Sequence, residues 1–143
     1  MDENIKPVFD EIFGLDIISF SIGDEQIFGY LSTSPLEQRV LTKFNYQFVY
    51  TNVAKKSYKA HWAIFDSELL LMYVNGIING VRLYTNDFVP EYPDDVVFFC
   101  YHWFSGQLKI DIQQTRTNPI FKPYCISENE LLITFEKGIL VNH

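Results

Sequence analysis

The sequence predicts an α+β protein that is mostly β, built as a meandering antiparallel sheet with one or two short helices. Aromatic residues make up 17% of the chain, and aromatic and β-branched residues favour pleated surfaces. Most predicted connections are short, which favours antiparallel pairing. Because the 143 residues show no shift in composition, we interpret 1–143 as a single domain with a flexible start at 1–6.

The longest strand pattern runs from Val96 to Ile112. Both alternating sets of side chains are apolar or aromatic as far as Phe104, which predicts a strand covered on both faces. From Gln107 onward, apolar and polar residues alternate, which predicts a strand with one solvated face. Ser105-Gly106 supplies a turn between the two strands. We therefore expect a hairpin here, in the middle of the sheet.

Shorter strands are predicted by the same alternation and by the turns that separate them. Gly23-Asp24-Glu25 and Lys137-Gly138 are predicted to close hairpins, and Asn75-Gly76 and Asn79-Gly80 are among the strongest turn dipeptides. The remaining predicted strands cover residues 16–22, 26–31, 44–50, 58–65, 69–74, 81–84, 130–135 and 139–141.

Two short helices are predicted. After Pro7, apolar residues recur at helical spacing through Phe13, and Gly14 could end that helix. The run Ser34-Pro35-Leu36-Glu37 fits a capping box, with Ser at the N-cap, Pro at the first helical position and Glu three residues after the cap. We therefore expect a second helix over residues 35–42.

The formal net charge of the chain is −7 at pH 7. Nucleic acid is an unexpected partner, because its phosphate backbone selects surfaces rich in Lys and Arg. An acidic surface favours a basic protein or a cation, although the same charge could serve solubility alone. No segment reaches the length of a membrane span, and the first residues lack the apolar core of a signal peptide. We therefore expect no membrane partner.

Cys100 and Cys125 lie far apart and form no C-x-x-C pattern. Such thiols are typical of reduced, structural cysteines, which predicts a cytoplasmic protein. In a sequence without other catalytic motifs, Cys100 and His102 are the candidate catalytic residues, because they would share one strand face and the imidazole could act as base for the thiol. The neighbouring Phe residues favour burial instead, and a buried Cys is usually inert.

Residues 85–95 form the longest predicted loop. It carries four carboxylates and two aromatic rings, namely Asp87, Glu91, Asp94, Asp95, Phe88 and Tyr92. In a binding loop, the rings would anchor a partner and the carboxylates would steer a basic one. The alternative is a connector whose rings cap the end of the sheet. The spacing of the carboxylates does not match an EF-hand, and no Gly lies at the bend, so we expect no metal and no cofactor.

Four fragments carry β-hairpin landmarks: Gly29 to Leu36, Trp62 to Leu71, Trp103 to Leu108 and Glu130 to Gly138. With its motifs W-x-I-x-D-x-x-L-x-L and W-F-x-G-x-L, the chain resembles a group of small, uncharacterised bacterial β-rich proteins from about residue 29 onward. The resemblance implies a shared fold and assigns no activity to any residue. The chain departs from the group between Gln113 and Tyr124, where those proteins often have a Gly-rich stretch.

Three classes of function remain. The first is a small intracellular inhibitor or immunity-type protein that binds a basic toxin or nuclease, and the acidic charge together with the lack of catalytic motifs favours it. The second is an enzyme whose site is assembled only in the fold, with Cys100 and His102 as its candidate pair. The third is a structural module that forms a homodimer through its apolar strands. We favour the first class.

Overall fold

The structure of the chain is a computed structural model, and it describes residues 14–22, 25–44, 51–52, 55–78, 80–112, 124–127 and 129–141. The predicted helix after Pro7 lies outside these residues, as does the predicted strand 44–50 apart from its first residue.

Eleven strands and two short helices lie in the described part of the chain. The helices are α1 (Glu37–Lys43) and α2 (Thr85–Phe88). The strands are β1 (Asp16–Ile22), β2 (Glu25–Leu31), β3 (Thr51–Asn52), β4 (Lys55–Lys56), β5 (Tyr58–Phe65), β6 (Glu68–Ile78), β7 (Val81–Tyr84), β8 (Phe99–Cys100), β9 (Gly106–Asp111), β10 (Glu130–Glu136) and β11 (Ile139–Leu140). The predicted fold class, mostly β with short helices, is confirmed.

The main sheet closes on itself and does not form the predicted open meander. Seven described strands follow one another around the barrel in the order β6, β5, β1, β2, β9, β10, β11. Closure comes from β11, where Ile139 pairs with Glu68 of β6 and the Leu69 N–H donates to the Gly138 carbonyl at 2.8 Å. Strands β7 and β8 pair with β6 outside this ring, and β3 pairs with β4 separately.

One pair of strands in the barrel is parallel. The chain forms the β1–β2 hairpin, as predicted, and then passes through α1 before β5 pairs with the other edge of β1. A parallel pair requires a long crossover connection, and the segment between β2 and β5 supplies it. Leu36 and Val40 of this connection are fully buried in the core.

The predicted central hairpin is wrong. Strand β8 is only two residues long and pairs with β6, whereas β9 pairs with β10 and β2. Tyr101 leaves the strand to fill the core, where it is 2% exposed, and its N–H donates to the Leu69 carbonyl at 2.9 Å. The Phe104 carbonyl then accepts the Gly138 N–H at 2.8 Å. The segment between β8 and β9 is therefore held by the β6 strand and the β10–β11 turn.

The predicted turn at Asn75-Gly76 is also wrong, because β6 continues to Ile78. The chain turns back into β7 at Gly80, the glycine of the second predicted dipeptide, which has a φ of 77°. Gly76 is buried instead, and a Cβ atom on it would lie 2.7 Å from the ring of Phe88. This glycine therefore serves close packing inside a strand.

Helix α1 begins two residues later than predicted. The Ser34 hydroxyl accepts a hydrogen bond from the Leu36 N–H at 3.1 Å, and the Ser34 carbonyl accepts one from the Glu37 N–H at 3.1 Å. These bonds form a turn ahead of the helix, and the N-cap residue Leu36 makes no side-chain cap. The serine thus starts the turn that leads into α1 without capping the helix itself.

Candidate functional site

The two aromatic residues of the predicted binding loop are buried. Phe88 ends α2 and packs against Phe44 and Tyr58, with ring centroids 5.6 Å and 6.0 Å away. Tyr92 donates its hydroxyl hydrogen to the Met72 carbonyl at 2.7 Å. Both rings complete the core and are not exposed to a partner, which fits the connector alternative for this segment.

The four carboxylates of the same segment have different surroundings. The Asp87 carboxylate accepts a backbone N–H at 2.8 Å and caps the start of α2. Glu91 forms an ion pair with Arg39, with 2.8 Å between Oε1 and Nη1. Asp94 and Asp95 are exposed. Two of the four carboxylates therefore have structural partners, and two are open to a ligand or a protein.

The structure does not support the predicted catalytic pair. Strand β8 ends at Cys100 and His102 lies in the following turn, so the two residues do not share a strand face. Burial and the neighbouring Glu68 raise the pKa of Cys100 to about 11. The thiol therefore stays protonated near neutral pH, whereas a nucleophilic cysteine must be a thiolate. His102 stacks on Trp103 instead, with ring centroids 3.9 Å apart.

The outer surface of four neighbouring strands, β2, β1, β5 and β6, is largely apolar. The strand registers place its side chains in two rows: Phe28, Ser19, Ala63 and Leu70 in one, and Tyr30, Ile17, His61 and Tyr73 in the other. We define the apolar face as these eight residues together with Phe65 and Phe98. Neither row contains an Asp, Glu, Lys or Arg, although the chain as a whole has a net charge of −7.

A groove of about 290 Å³ crosses the apolar face. Its lining combines two small residues, Ser19 and Ala63, with the larger apolar side chains of Ile64, Phe65, Leu70, Met72 and Phe98. Phe65 is 63% exposed and Phe98 is 45% exposed. Contiguous exposed apolar surface of this kind is typical of an interaction site, whereas single exposed apolar residues are ordinary.

Carboxylates border the apolar face at the β5–β6 turn. Phe65 is the register partner of Glu68, and the exposed Asp66 lies in the turn between them. Lys59 lies on β5 beyond the other end of the face. The two ends of the face therefore differ in charge.

The exposed carboxylates of the predicted binding loop lie close to the same face. Asp94 and Asp95 precede Phe98 by four and three residues, so that they lie within about 15 Å of it. Val96 and Val97, which lie between Asp95 and Phe98 in the chain, are both exposed, and Val97 is 74% exposed. This segment thus joins two carboxylates directly to further apolar surface.

A second groove, of about 490 Å³, lies between α1 and two later segments of the chain, Pro90-Glu91 and Tyr101 to Trp103. We call it the α1 groove. Among the described residues, its charged lining consists of Arg39, Lys43 and Glu91. It shares no lining residue with the groove of the apolar face.

Arg39 is held from three sides in the α1 groove. Its Nε donates to the Tyr101 hydroxyl at 3.1 Å, and Nη1 and Nη2 donate to the Glu91 carboxylate at 2.8 Å and 3.4 Å. The guanidinium carbon lies 4.8 Å from the centroid of the Trp103 ring, a distance typical of a cation–π contact. The hydrogen bond from Arg39 lowers the pKa of Glu91, so this carboxyl stays ionised.

Sequence analysis missed Arg39 and most of the apolar face. In β5, the inward set Tyr58, Ala60 and Trp62 is apolar, but the outward residues Ala63 and Phe65 are apolar too. Alternation therefore marks the solvent side in the first half of β5, where the outward residues Lys59 and His61 are polar, but not in the second half. A usable signal was the high aromatic content of the chain, 17%, because aromatic residues are enriched in the hot spots of interfaces.

In the described part of the chain, no three His, Cys, Asp or Glu residues are grouped so that they could hold a metal ion. No described helix is both long enough and apolar enough to cross a membrane. No protein-family model matches the chain, and comparison with curated proteins and with solved structures found no match.

Proposed function

We propose that this protein is a binding module that holds a basic protein partner against its apolar face, as an inhibitor or immunity-type protein would. The observation that carries this proposal is the apolar face itself, where the exposed rings of Phe65 and Phe98 line a groove together with small residues. Protein interfaces commonly have an apolar centre and a polar rim, and aromatic residues are enriched in their energetic hot spots.

Charge supports a basic partner. Asp66 and Glu68 border one end of the face, and Asp94 and Asp95 lie within a few residues of Phe98. Carboxylates at a rim accelerate the encounter with a basic surface and suppress acidic partners. The net charge of −7 acts in the same direction at longer range.

The test is an affinity capture with three baits, followed by measurement of the isolated complex. The first bait is the native protein, and the second carries Phe65→Ser and Tyr73→Ser on the exposed apolar face. The third bait is a matched control with Val81→Ser and Ile126→Ser, because these two residues are exposed to a similar degree outside the face.

We expect a basic protein that is retained by the native and control baits, lost from the face variant, and bound in a one-to-one complex. Asp94→Asn with Asp95→Asn should slow association more than it speeds dissociation, since rim charges act mainly on the encounter. Recovery of the same proteins by all three baits contradicts the proposal. A native dimer that the face variant converts to a monomer would instead assign the face to self-association.

A further inference from the structure

We propose that the α1 groove binds a small carboxylate ligand with an apolar or aromatic body. The groove has a volume of about 490 Å³, within the range of small-molecule sites. It lies apart from the apolar face and shares no lining residue with that face's groove, so this inference is independent of the proposed protein partner.

The local charge of the α1 groove is opposite to that of the whole chain. Arg39 and Lys43 are four residues apart on α1, and residues at this spacing lie on the same side of a helix. The lining also contains one carboxylate, Glu91, so the net charge of the described lining residues is +1. In a chain of net charge −7, a positive cleft attracts a single negative charge, and a carboxylate supplies one.

The hydrogen-bond donors needed for a carboxylate are present. A guanidinium has five N–H donors, and Arg39 uses three of them, one toward Tyr101 and two toward Glu91. The other two N–H groups have no partner among the residues that the structure describes. Among the described residues, the Lys43 ammonium has no carboxylate within ion-pair distance; it lies 6.0 Å from the centroid of the Phe44 ring, and its charge helps to lower the pKa of Glu91. Both groups can donate charge-assisted hydrogen bonds to one ligand carboxylate.

Arg39 is also fixed before any ligand arrives. Tyr101 is almost fully buried, and it holds Nε, while Trp103 covers the guanidinium at 4.8 Å. A side chain already held in one conformation loses little entropy on binding. The arrangement therefore resembles a preorganised anion site more than a flexible surface arginine.

The apolar part of the ligand is inferred from the rest of the lining. Pro35 and Pro90 line the groove, and Trp103, which lines it as well, is 40% exposed. Its indole is held in place by Arg39 and by the stacked ring of His102. The exposed part of a fixed indole offers apolar contact next to the two cations.

The chain offers a direct reporter, because it contains two Trp residues. The Trp62 indole N–H is buried and bonded to Asp16 at 2.9 Å, whereas Trp103 lies in the groove. In a two-dimensional ¹H–¹⁵N spectrum, each indole N–H gives one resonance, so Trp62 serves as an internal reference. The probes are benzoate, its neutral analogue benzamide, and inorganic phosphate.

We expect benzoate to shift the Trp103 resonance in a saturable manner and to leave Trp62 in place, with benzamide and phosphate producing much weaker shifts. The variant Lys43→Gln should weaken benzoate about tenfold, the effect of losing one charge-assisted hydrogen bond. Lys137→Gln is the matched control, since Lys137 is exposed in the β10–β11 turn, and it should bind benzoate as the native protein does.

Several results would overturn this inference. Equal shifts with benzoate and benzamide would show that the carboxylate is not recognised, and equal shifts with benzoate and phosphate would show that the apolar body is not. The absence of any saturable Trp103 shift, or unchanged benzoate affinity in Lys43→Gln, would do the same.

Discussion

The carboxylate of Asp16 and the indole of Trp62 are joined by a hydrogen bond of 2.9 Å between Oδ2 and Nε1. The second carboxylate oxygen accepts the Ala60 N–H at 3.0 Å. Both Asp16 and Trp62 are buried in the barrel interior. A buried carboxylate is costly unless it is hydrogen-bonded, and these two donors compensate it while they tie the start of β1 to its parallel neighbour β5.

The first prediction is that Asp16→Ala lowers the free energy of unfolding by about 2–5 kcal/mol, because two buried N–H donors lose their acceptor. Urea denaturation followed by tryptophan fluorescence measures the change. Asp94→Ala is the control, since Asp94 is exposed, and surface changes of this kind cost about 0.5 kcal/mol or less. A loss below about 1 kcal/mol in Asp16→Ala would show that the bond contributes little.

The second prediction concerns Gly76 inside β6. A Cβ atom there would lie 2.7 Å from Cζ of Phe88 and 2.8 Å from the Ser57 carbonyl oxygen. We expect Gly76→Ala to destabilise the protein by about 1–3 kcal/mol, because overpacking forces neighbouring groups to move. Gly14→Ala is the control, since no described residue lies within 4 Å of a Cβ at that position. Equal midpoints of thermal unfolding for the two variants would contradict the packing role.

The third prediction separates the two cysteines. Burial and Glu68 raise the pKa of Cys100 to about 11, so a negligible fraction is thiolate at pH 7.5. Cys125 is exposed. We expect iodoacetamide to modify Cys125 first in the folded protein, with Cys100 reacting quickly only after denaturation. Peptide mass spectrometry over time measures both rates.

The variant Cys125→Ser isolates the second thiol for the same test. Alkylation of Cys100 in this variant should accelerate about tenfold for each unit of pH between 7 and 9, because the thiolate fraction rises in that proportion below the pKa. If Cys100 were instead alkylated rapidly at pH 7, and the rate did not rise toward pH 9, the thiol would already be ionised at neutral pH. That result would support the enzyme hypothesis.

The strands were predictable where one alternating set is apolar and the turns are short. The β1–β2 and β10–β11 hairpins match the prediction because consecutive strands pair locally. Barrel closure depends on Ile139 pairing with Glu68, 71 positions earlier in the chain, and no local pattern encodes such a contact. The same limit explains Asn75-Gly76, where the tight approach of Phe88 and not a turn requires the glycine.

Of the candidate binding site, only the exposed carboxylates near the apolar face could be predicted from the sequence. Asp94 and Asp95 are exposed, as a steering role requires, but Phe88 and Tyr92 fill the core. An aromatic residue beside a proline and a carboxylate fits a binding loop and a buried connector equally well in the sequence. Which rings are exposed depends on how the barrel closes, and closure is not visible in the local pattern.

The last prediction links the apolar face to pH through His61. This imidazole stacks on Tyr73, with ring centroids 4.3 Å apart and an interplanar angle of 16°. Burial lowers the pKa of His61, as does the charge of Lys59, while Asp16 opposes the shift. NMR titration of the free protein should therefore give a pKa below the ordinary imidazole value near 6.5.

The lowered pKa of His61 determines how stability and partner binding should change with pH. Because the folded state disfavours the imidazolium, the stability that His61 contributes is present above the ordinary pKa and is lost as pH falls through the lowered one. A partner that covers the face removes more water from the ring and lowers its pKa further. Complex formation should therefore be tighter at pH 7.5 than at pH 5.5, and His61→Gln should reduce that difference.

His102→Gln is the control, because His102 lies outside the apolar face. A pH dependence that survives His61→Gln and disappears in His102→Gln would place the partner elsewhere on the protein.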